Sequence, residues 1–372
     1  MDMSTLIQRP SINSPSTLSA GQIQSLLEMT NRDEIDALSR EARWMTLLHC
    51  GCTVYFRGII EFSNICNCDC QYCGIRRSNG DVARYQLTQG EILRQARWCA
   101  DRGFGSVVLQ SGERRDPRFV DFVADVVRAI KRETRSAILP DGLGITLCVG
   151  EQSRESYRRF FDAGAHRYLL RIETSSPRLF QRWHPAGQTF DNRRHCLDHL
   201  RAIGFQVGTG VMIGAPWQTT ADLAADVAFF REMDVDMIGM GPYIPHHAAP
   251  LAAVGVDSPA VRLRRTLLAI AAVRLVLRDV NIAATTALQT LAPLGRERGL
   301  AFGANVIMPQ VTPASCRKNY TLYDAKPCDD ETDSGYQKAL ESRIRGLGRT
   351  VGRHQWGDSP RVFHRKALLR SA

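Results

Sequence analysis

The amino-acid sequence predicts an α/β protein, namely a complete (β/α)8 barrel of the TIM type with N-terminal helices and a C-terminal helical extension. Eight short apolar runs rich in β-branched residues alternate along the chain with amphipathic segments of helical period. Such alternation indicates parallel strands joined by right-handed helical crossovers, and eight units are the number that closes a barrel. A doubly wound sheet, the alternative, would need a glycine-rich phosphate turn after its first strand. The first strand is instead followed by SNICNCDCQYCG, which favours the barrel.

The elements follow one another in a regular order. Residues 1–18 are rich in Ser, Pro and Thr, and helical patterns follow at 20–29 and 32–48. The eight expected strands are 53–62, 105–110, 144–148, 167–172, 206–213, 236–241, 281–286 and 303–307. The later helical patterns are 88–102, 117–134, 152–163, 191–203, 219–233, 258–278, 290–300 and 336–346. We therefore predict a flexible arm (1–18), N-terminal helices (19–50), the barrel (51–335) and a C-terminal helix with a basic tail (336–372).

The composition excludes several classes of protein. With 44% hydrophobic and 23% charged residues, the chain is globular rather than disordered. No stretch approaches the ~18 apolar residues of a membrane span. The first 22 residues have neither a cationic segment nor an apolar core, so we expect a cytoplasmic protein without a secretory signal or a membrane partner. The net charge of +10 comes mostly from arginines spread along the chain, so no nucleic-acid partner is expected.

Cysteine usage is the most specific feature of the sequence. Six of the eleven cysteines fall between residues 50 and 73, and three of them form the spacing Cys66-x3-Cys70-x2-Cys73. Three thiolates on one loop can hold three irons of a 4Fe–4S cluster and leave the fourth iron open. An open iron can bind the amino and carboxylate groups of S-adenosylmethionine (SAM), which is the arrangement of radical SAM enzymes; there SAM is cleaved to a 5′-deoxyadenosyl radical. A zinc site would instead need four ligands in two pairs.

Further segments carry a resemblance to a known family. The run EFSNICNCDCQYCGIRRSN is accompanied by LQSGE at 109–113, YLLRIET at 168–174, DMIGMGPYIPH at 236–246, ATTALQT at 284–290 and GANVIMPQVTP at 303–313. Together these segments resemble HydE, the radical SAM maturases of the FeFe-hydrogenase active-site cluster. The resemblance extends over nearly the full chain, from residue 21 to residue 357. The cysteine motif alone would indicate only the superfamily, which also contains biotin synthase and methylornithine synthase.

The resemblance implies a set of SAM-binding residues. Glu113 corresponds to the position that receives the methionyl amino group, and Arg193 to the arginine that binds the methionyl carboxylate. Glu173 is implied to help place SAM, and Tyr72 to lie near the adenine. The full implied set is Tyr72, Ser111, Glu113, Glu173, Arg193 and Met237.

A second set of residues is expected to line a substrate cavity at the mouth of the barrel. Arg171 and Glu173 alternate with Leu170 and Ile172 on the fourth expected strand, so both charged side chains should point into the barrel. By resemblance, Arg171 reaches the anionic end of the substrate. Donors from other strand ends would converge there and suit an anion. The expected substrate residues are Arg57, Gln110, Ser111, Arg171, Thr285, Thr286, Ala287, Tyr320 and Tyr323.

The number of clusters is predicted from a departure from the family pattern. Some HydE proteins carry a second cysteine group near the C-terminus that can hold an auxiliary iron–sulfur cluster. Here Cys328 stands in that region, but Tyr336 and Ala339 occupy the positions of its companions. We therefore predict one 4Fe–4S cluster and no auxiliary cluster. Cys68 and Cys148 receive no role, and His246 and His247 are expected to be loop residues.

The resemblance also implies a function, in assembly of the FeFe-hydrogenase active-site cluster. The adenosyl radical would act on a cysteine-bound iron carbonyl–cyanide precursor supplied by the partner maturase HydG, and the product would pass to the maturase HydF. A low-potential electron donor is a further expected partner. Two alternatives stay open: a radical SAM mutase or synthase that acts on an amino acid, as methylornithine synthase does, and a non-catalytic iron–sulfur scaffold. A scaffold would not need the SAM-placing residues Glu113, Glu173 and Arg193.

Overall fold

Parallel strands closed into a barrel form the centre of the molecule, which confirms the predicted fold class. The computed structural model describes residues 18–327 and 331–371. Residues 1–17 of the expected arm, and Cys328, lie outside the described residues. In chain order the strands are β1 (Thr53–Ser63), β2 (Ser106–Ser111), β3 (Gly144–Cys148), β4 (Arg167–Leu169), β5 (Gln206–Thr209), β6 (Met212–Ile213), β7 (Met237–Ile238), β8 (Gly241–Pro242), β9 (Asn281–Ala284), β10 (Val306–Ile307) and β11 (Thr350–Val351).

Eight of these strands make up the barrel. They neighbour one another in the order β1, β2, β3, β4, β5, β7, β9, β10, and every pairing is parallel. The pairing of Tyr55 on β1 with Val306 on β10 closes the ring. The carboxyl ends of all eight strands therefore meet at one mouth, which is where barrels of this kind hold their active sites.

Two expected strands, 206–213 and 236–241, are each interrupted. Their outer halves, β6 and β8, form a separate parallel pair. The interruption lies at Gly210 and Gly239, where the two backbones come so close that a Cβ on Gly210 would lie 1.9 Å from the Gly239 carbonyl oxygen. Only glycine permits that approach, and the chain bends out of the barrel wall there.

Helices surround the barrel, and those over 177–183, 314–317 and 360–371 were not expected from the sequence. They are α1 (Ala20–Leu27), α2 (Arg32–Cys50), α3 (Gln89–Asp101), α4 (Pro117–Glu133), α5 (Arg154–Asp162), α6 (Pro177–Trp183), α7 (Phe190–Ile203), α8 (Thr220–Glu232), α9 (Pro259–Val276), α10 (Thr286–Leu291), α11 (Gly295–Ala301), α12 (Ala314–Arg317), α13 (Ser334–Gly346) and α14 (Pro360–Ser371). The single helix expected over 290–300 is instead two, because Leu294 adopts a left-handed conformation with φ of 56°. None of the described helices is both long and apolar enough to cross a membrane.

The N-terminal helices are part of the barrel's outer layer. Ser19 and Gln22 form a capping box at α1, and the Asn31 side chain accepts two backbone N–H groups at the start of α2. These caps satisfy N–H groups that otherwise have no helical partner. The helix α1 packs on α8 and α2 packs on α9. Their buried leucines, Leu26 and Leu38 among them, each stabilise the fold by ~1.5–3 kcal/mol when removed from water.

The end of the barrel opposite the mouth is closed by the C-terminal segment. Strand β11 pairs with the start of β1. The fully buried Arg167 donates to the Trp356 carbonyl oxygen at 2.8 Å and to Asp358 Oδ1 at 2.7 Å. A buried guanidinium needs such partners, because removing an unpaired charge from water is costly. The C-terminal extension thus seals this end, and only the mouth is left for chemistry.

Candidate active site

The three motif cysteines lie on the loop that leaves β1 at the mouth. Arg84 shapes this loop by donating to the carbonyl oxygens of Asn64 and Ile75, both at 2.8 Å, and to those of Arg76 and Asn79. One guanidinium with its rigid fork of donors can hold several turns of a loop that has no regular structure. Arg84 was not among the residues expected from the sequence, because an arginine in a loop is usually solvated.

The environment of the motif thiols suits ligands of a cationic iron–sulfur core. Cys66 Sγ accepts the backbone N–H groups of Cys68 at 3.4 Å and Glu113 at 3.3 Å. Hydrogen bonding, first of all from the Cys68 side chain, lowers the pKa of Cys66 to about 7. Burial, together with the neighbouring thiols, raises the pKa of Cys73 to about 12 and that of Cys70 well above its ordinary value. Three thiolates can therefore share this loop only around a positive group.

Cys68, which the motif spacing does not include, is hydrogen-bonded to Gln188. Its Sγ accepts from Gln188 Nε2 at 3.2 Å, and Oε1 of the same amide accepts from Cys70 Sγ at 3.5 Å. Gln188 thus connects the cysteine loop to the segment that follows the helix α6.

Tyr72 is fixed by a histidine whose protonation state follows from its contacts. His184 Nδ1 lies 2.9 Å from the Phe180 carbonyl oxygen, so Nδ1 carries the proton and donates. Burial lowers the pKa of His184 to about 3, so the ring is neutral and its Nε2 accepts the Tyr72 hydroxyl at 3.2 Å. The aromatic residue expected near an adenine is therefore held in one orientation.

The segment Ser111–Gly112–Glu113 packs directly on the cysteine loop. A Cβ on Gly112 would lie 2.4 Å from the Ile65 carbonyl oxygen, so only glycine fits between the two segments. Ser111 is buried, and its hydroxyl donates to the Gly112 carbonyl oxygen at 2.7 Å. Glu113 is 8% exposed; Oε1 accepts from Arg115 at 2.6 Å and Oε2 from the Glu151 N–H at 2.9 Å.

Glu151, which was not among the site residues predicted from the sequence, accepts hydrogen bonds from several neighbouring side chains. It is 1% exposed and accepts from Arg193 Nε at 2.5 Å, from Asn192 Nδ2 at 2.5 Å and from Arg115 Nη2 at 2.8 Å. Three donors offset the cost of burying its charge. Its signal in the sequence was its place three residues after β3, at the mouth end of a barrel strand.

Arg193 contacts both Glu151 and the segment that carries Arg171 and Glu173. Besides Glu151, it donates through Nη1 to the Arg171 carbonyl oxygen at 2.5 Å, and its guanidinium carbon lies 5.4 Å from the centre of the Phe180 ring. These contacts leave Nη2 without a hydrogen-bond partner among the described residues. One arm of a fixed guanidinium is thus available to a carboxylate ligand.

Arg171 and Glu173 lie together inside the barrel, but the regular strand ends before them. Arg171 Nη2 donates to Glu173 Oε2 at 2.9 Å, so the two expected interior charges pair with each other. The strand β4 stops at Leu169, and Glu173 has a φ of 64°, a left-handed conformation that costs a residue with a Cβ ~1–2 kcal/mol. The Glu173 N–H still donates to the Gly210 carbonyl oxygen at 3.0 Å, which holds this strained residue in place.

A buried carboxyl group supports the turn after Glu173. The Ser175 backbone N–H donates to Asp226 Oδ1 at 2.5 Å, and Asp226, on α8, is 1% exposed. Burial raises the pKa of Asp226 to about 7, because the charged form loses more than the neutral form on leaving water. Hydrogen bonds from Ser175 lower this pKa, and the neighbouring side chains of Asp222 and Glu173 raise it.

We expect Asp226 to make the protein less stable as the pH rises from 5 to 8. Asp226 loses its proton near pH 3.8 when unfolded but only near pH 7 when folded, so the folded state binds more protons between these values. Stability is therefore lost as the pH rises through this window. Asp226→Asn keeps an oxygen that accepts the Ser175 N–H but cannot ionise, so it should remove a difference on the order of 2–4 kcal/mol in the free energy of unfolding.

Urea unfolding at pH 5 and pH 8 measures this difference. Asp125→Asn, which changes an exposed carboxylate on α4, is the control and should keep the wild-type pH dependence. An Asp226→Asn protein that loses as much stability between the two pH values as the wild type would show that Asp226 is ionised throughout.

The expected substrate residues fall into two groups. At the mouth, Gln110 pairs with Cys148 across β2 and β3, and Gln110 is a hydrogen-bonding partner of the buried Tyr320 hydroxyl. Burial raises the pKa of Cys148 to about 12, although the nearby charge of Arg171 acts to lower it. Cys148 therefore faces the same interior as Arg171. Tyr323 is half-buried nearby, with Thr290 as a partner for its hydroxyl.

The sequence predicted that Thr285, Thr286 and Ala287 end a strand, but they lie after its end. The strand β9 ends at Ala284; Thr285 is the residue before α10, and the other two lie in its first turn. The Thr285 hydroxyl donates to the Met240 carbonyl oxygen at 3.1 Å, and the Thr286 hydroxyl accepts from Arg296 Nη2 at 3.2 Å. All three still lie at the mouth end of their strand.

Arg57 and Met237 are separated from this group, contrary to the expectation that the donors converge on the mouth. Arg57 pairs with Ser106, the first residue of β2, so it lies in the half of the barrel away from the mouth. Its Nη2 donates to the Gly357 carbonyl oxygen at 2.9 Å and its Nη1 to Met237 Sδ at 2.9 Å. Strand alternation predicts that a side chain points inward, but not at which height along the barrel.

A buried ion-pair network occupies the region between the mouth and the C-terminal helix α13. Arg296 Nη1 lies 2.9 Å from Glu331 Oε1, and the Tyr336 hydroxyl donates to the same oxygen at 3.0 Å. Lys326 pairs with Glu61, and its Nζ also donates to the Tyr320 carbonyl oxygen at 2.8 Å. Tyr336, which stands at a position expected from the resemblance for a companion of Cys328, thus takes part in this network.

His246, His247 and Asp324 bring three potential metal ligands within 4.8 Å of one another. His246 Nδ1 accepts the Ala248 N–H at 3.2 Å, so its other nitrogen must carry the proton in the neutral ring and is not free to bind a metal. Asp324 accepts from the His247 N–H at 2.9 Å and lies 2.8 Å from His247 Nδ1. These three side chains therefore form hydrogen bonds that connect two loops.

A cavity of about 370 Å³ opens beside the cysteine loop. It is lined by Asn67, Cys68, Asp69, Arg77, Glu113, Arg115, Pro185, Gly187 and Gln188. Glu113 therefore faces a space that reaches the loop. Together with Arg193 and Glu173, it gives the mouth the charges that an amino acid's ammonium and carboxylate groups need.

Comparison with known proteins agrees with this site. Residues 60–230 match the sequence model described as "Radical SAM superfamily". Two solved structures share the fold. Methylornithine synthase (PylB) has a TM-score of 0.76 and 22% identity, and the match covers 91% of this chain and 95% of that one. The FeFe-hydrogenase maturase HydG from Carboxydothermus hydrogenoformans has a TM-score of 0.75 and 17% identity, and the match covers 94% of this chain and 79% of that one.

A curated relative is much more similar in sequence. It is the "[FeFe] hydrogenase maturase subunit HydE" of Thermotoga maritima, 41% identical over 342 residues that cover 92% of this chain and 94% of that protein. The family implies a 4Fe–4S cluster and SAM, and the thiols and charges of the mouth fit both groups. An identity this high over nearly the full length of both proteins shows that the chain is a radical SAM enzyme of the HydE family.

Proposed function

We propose that this protein acts in assembly of the FeFe-hydrogenase active-site cluster, on a cysteine-bound iron carbonyl–cyanide precursor. The observation that carries the proposal is the coincidence of full-length similarity to HydE with a mouth that unites three thiols, Glu113, Glu173 and Arg193. Fold similarity alone would not distinguish this role from an amino-acid mutase, since methylornithine synthase has the same fold.

The cofactors are assigned to residues of the mouth. Cys66, Cys70 and Cys73 hold one 4Fe–4S cluster with an open iron, and no second cluster is bound. When bound, the cluster and SAM supply one-electron cleavage of SAM and thereby a 5′-deoxyadenosyl radical. Glu113 binds the methionyl ammonium group, and Arg193 offers Nη2 to the carboxylate while Glu151 fixes its orientation.

The substrate is assigned to the barrel interior below this site. Arg171, whose pairing with Glu173 keeps it inside, binds the anionic end of the substrate. Tyr320 is buried and Gln110 half-buried at the same level, so they exclude water and shape the cavity. HydG is the expected source of the precursor, HydF the recipient of the product, and a low-potential carrier the source of the electron.

Maturation of an apo-hydrogenase tests the proposal directly. Reconstituted protein is incubated with SAM, dithionite, HydG, HydF and apo-hydrogenase, and hydrogen evolution is measured with and without this chain. We expect activity only when the chain is present, and loss of activity with the Cys66→Ala variant. Formation of 5′-deoxyadenosine with no gain in hydrogenase activity would point to an amino-acid substrate, and no 5′-deoxyadenosine would revive the scaffold alternative.

A further inference from the structure

The 370 Å³ cavity reaches the cysteine loop from outside the barrel. Its wall includes Asn67, which is exposed and stands between the first two motif cysteines in the sequence. Among the described residues that line it, none is one of the interior residues Arg171, Thr285 or Tyr320. The cavity therefore gives access to the cysteine loop rather than to the space assigned to the substrate.

The rim of this cavity carries positive charge that the protein itself does not neutralise. Arg77 lines the cavity. Arg182 precedes Trp183, whose carbonyl oxygen accepts the Gln71 N–H of the cysteine loop at 2.8 Å. Both arginines are exposed, and neither forms an ion pair with another described residue. The two acids that line the cavity are already paired: Asp69 with Arg76 at 2.7 Å and the Ser78 hydroxyl at 2.7 Å, and Glu113 with Arg115 at 2.6 Å. The rim thus attracts an anionic partner, and the net charge of +10 adds to that attraction at long range.

An exposed tryptophan stands beside these cations. Trp217 is 44% exposed, has a φ of 65°, and its ring lies 4.9 Å from the guanidinium carbon of Arg182. Arg182 lies in the last turn of α6, which leads directly into the cavity wall at 185–188. Tryptophan and arginine are both enriched among the residues that contribute most of the binding energy in protein interfaces.

We propose that this surface, formed by Asn67, Arg77, Arg182, Trp217 and residues 185–188, docks an acidic one-electron carrier protein that reduces the cysteine-bound cluster. The inference rests on the proposed radical SAM function, because only a cluster held by the loop needs an external electron. In each transfer the carrier loses one electron and the cluster gains it. Transfer slows steeply with distance, so the carrier must dock where the loop is exposed, and Asn67 marks that place.

Binding and turnover with a defined probe test the proposal. The probe is an acidic plant-type [2Fe–2S] ferredoxin, whose potential of about −400 mV makes it a low-potential donor. The double variant Arg77→Glu/Arg182→Glu should raise the dissociation constant for oxidised ferredoxin, measured by calorimetry, at least ~10-fold at low salt, and weaken its dependence on salt. With reduced ferredoxin as the donor and 5′-deoxyadenosine as the measured product, the KM for ferredoxin should rise by the same factor, while kcat changes less than about twofold.

A control of equal charge separates docking from net charge. Arg128→Glu/Arg132→Glu changes two exposed arginines on α4, away from the cavity, and should leave the dissociation constant and the KM for ferredoxin close to wild type. With dithionite, an anion, or reduced methyl viologen, a cation, as donor, both double variants should keep wild-type rates within about threefold.

Two results would overturn the proposal. One is equal affinity of wild type and Arg77→Glu/Arg182→Glu for ferredoxin. The other is a variant that keeps its ferredoxin kinetics but loses dithionite-driven maturation of the hydrogenase, which would assign the surface to delivery or removal of the substrate. Failure of the proposed function itself looks different, since dithionite would then yield no 5′-deoxyadenosine with the wild type.

Discussion

Replacing any one of Cys66, Cys70 and Cys73 by alanine is expected to abolish both the cluster and SAM cleavage. The wild type should hold about four irons per chain after anaerobic reconstitution, because three thiolates suit a single cubane. Each variant leaves two thiolates, and we expect 5′-deoxyadenosine formation to fall by more than the ~10- to 100-fold that loss of a supporting residue costs at a metal site. Iron analysis and chromatography of the nucleoside measure the two effects.

Cysteines that are not part of the motif provide the controls. Cys68→Ala changes the same loop and removes a thiol that contacts Gln188 and Cys66 but is not a proposed ligand, so it should keep the iron and the activity. Cys316→Ala and Cys328→Ala should do the same, because no auxiliary cluster is predicted. Eight irons per chain in the wild type, with four lost in Cys328→Ala, would show that a second cluster exists.

The sequence predicts the barrel well because both of its signals are local. Short β-branched runs and amphipathic periods each mark one element, and their count is enough to close the ring. Three expected elements are interrupted. The expected strands 206–213 and 236–241 break at Gly210 and Gly239, where the two backbones approach each other, which is a tertiary contact that a local pattern does not show. The expected helix 290–300 breaks at Leu294, which adopts a left-handed conformation.

The sequence predicts some residues of the candidate site and not others, because only some of them are marked by a local motif. The cysteine spacing places three ligands on one loop whatever the rest of the fold does. Glu151 stands on a loop without a motif, and its burial between Arg115 and Arg193 depends on helices distant in sequence. For Arg57, strand alternation predicts that the side chain points into the barrel. Its distance from the mouth depends on the register of β1 with β2, which the sequence does not show.

Arg193 and Arg171 are expected to fail in different ways, although they touch each other. Arg193→Ala should weaken SAM binding roughly ten- to a hundredfold, because a charge-assisted hydrogen bond to a carboxylate contributes ~1.5–3 kcal/mol. Arg193→Lys keeps a charge near Glu151 but lacks the second arm of the fork, so it should recover only part of the affinity. Calorimetry with SAM, beside thermal unfolding of each variant, measures this loss.

Arg171 should instead affect the substrate. Arg171→Gln removes the guanidinium charge but keeps an N–H group that can donate to Glu173, so SAM affinity should change by less than about threefold. Slow cleavage of SAM without substrate should also persist, whereas maturation of the hydrogenase should fall by at least ~10-fold, since an anionic substrate loses a charged partner. Arg171→Ala adds the loss of the Glu173 contact, and comparison with Arg171→Gln separates that contact from the charge. If Arg171→Gln weakens SAM binding as much as Arg193→Ala, the two arginines serve one ligand, and the division of the mouth into a cofactor site and a substrate site is wrong.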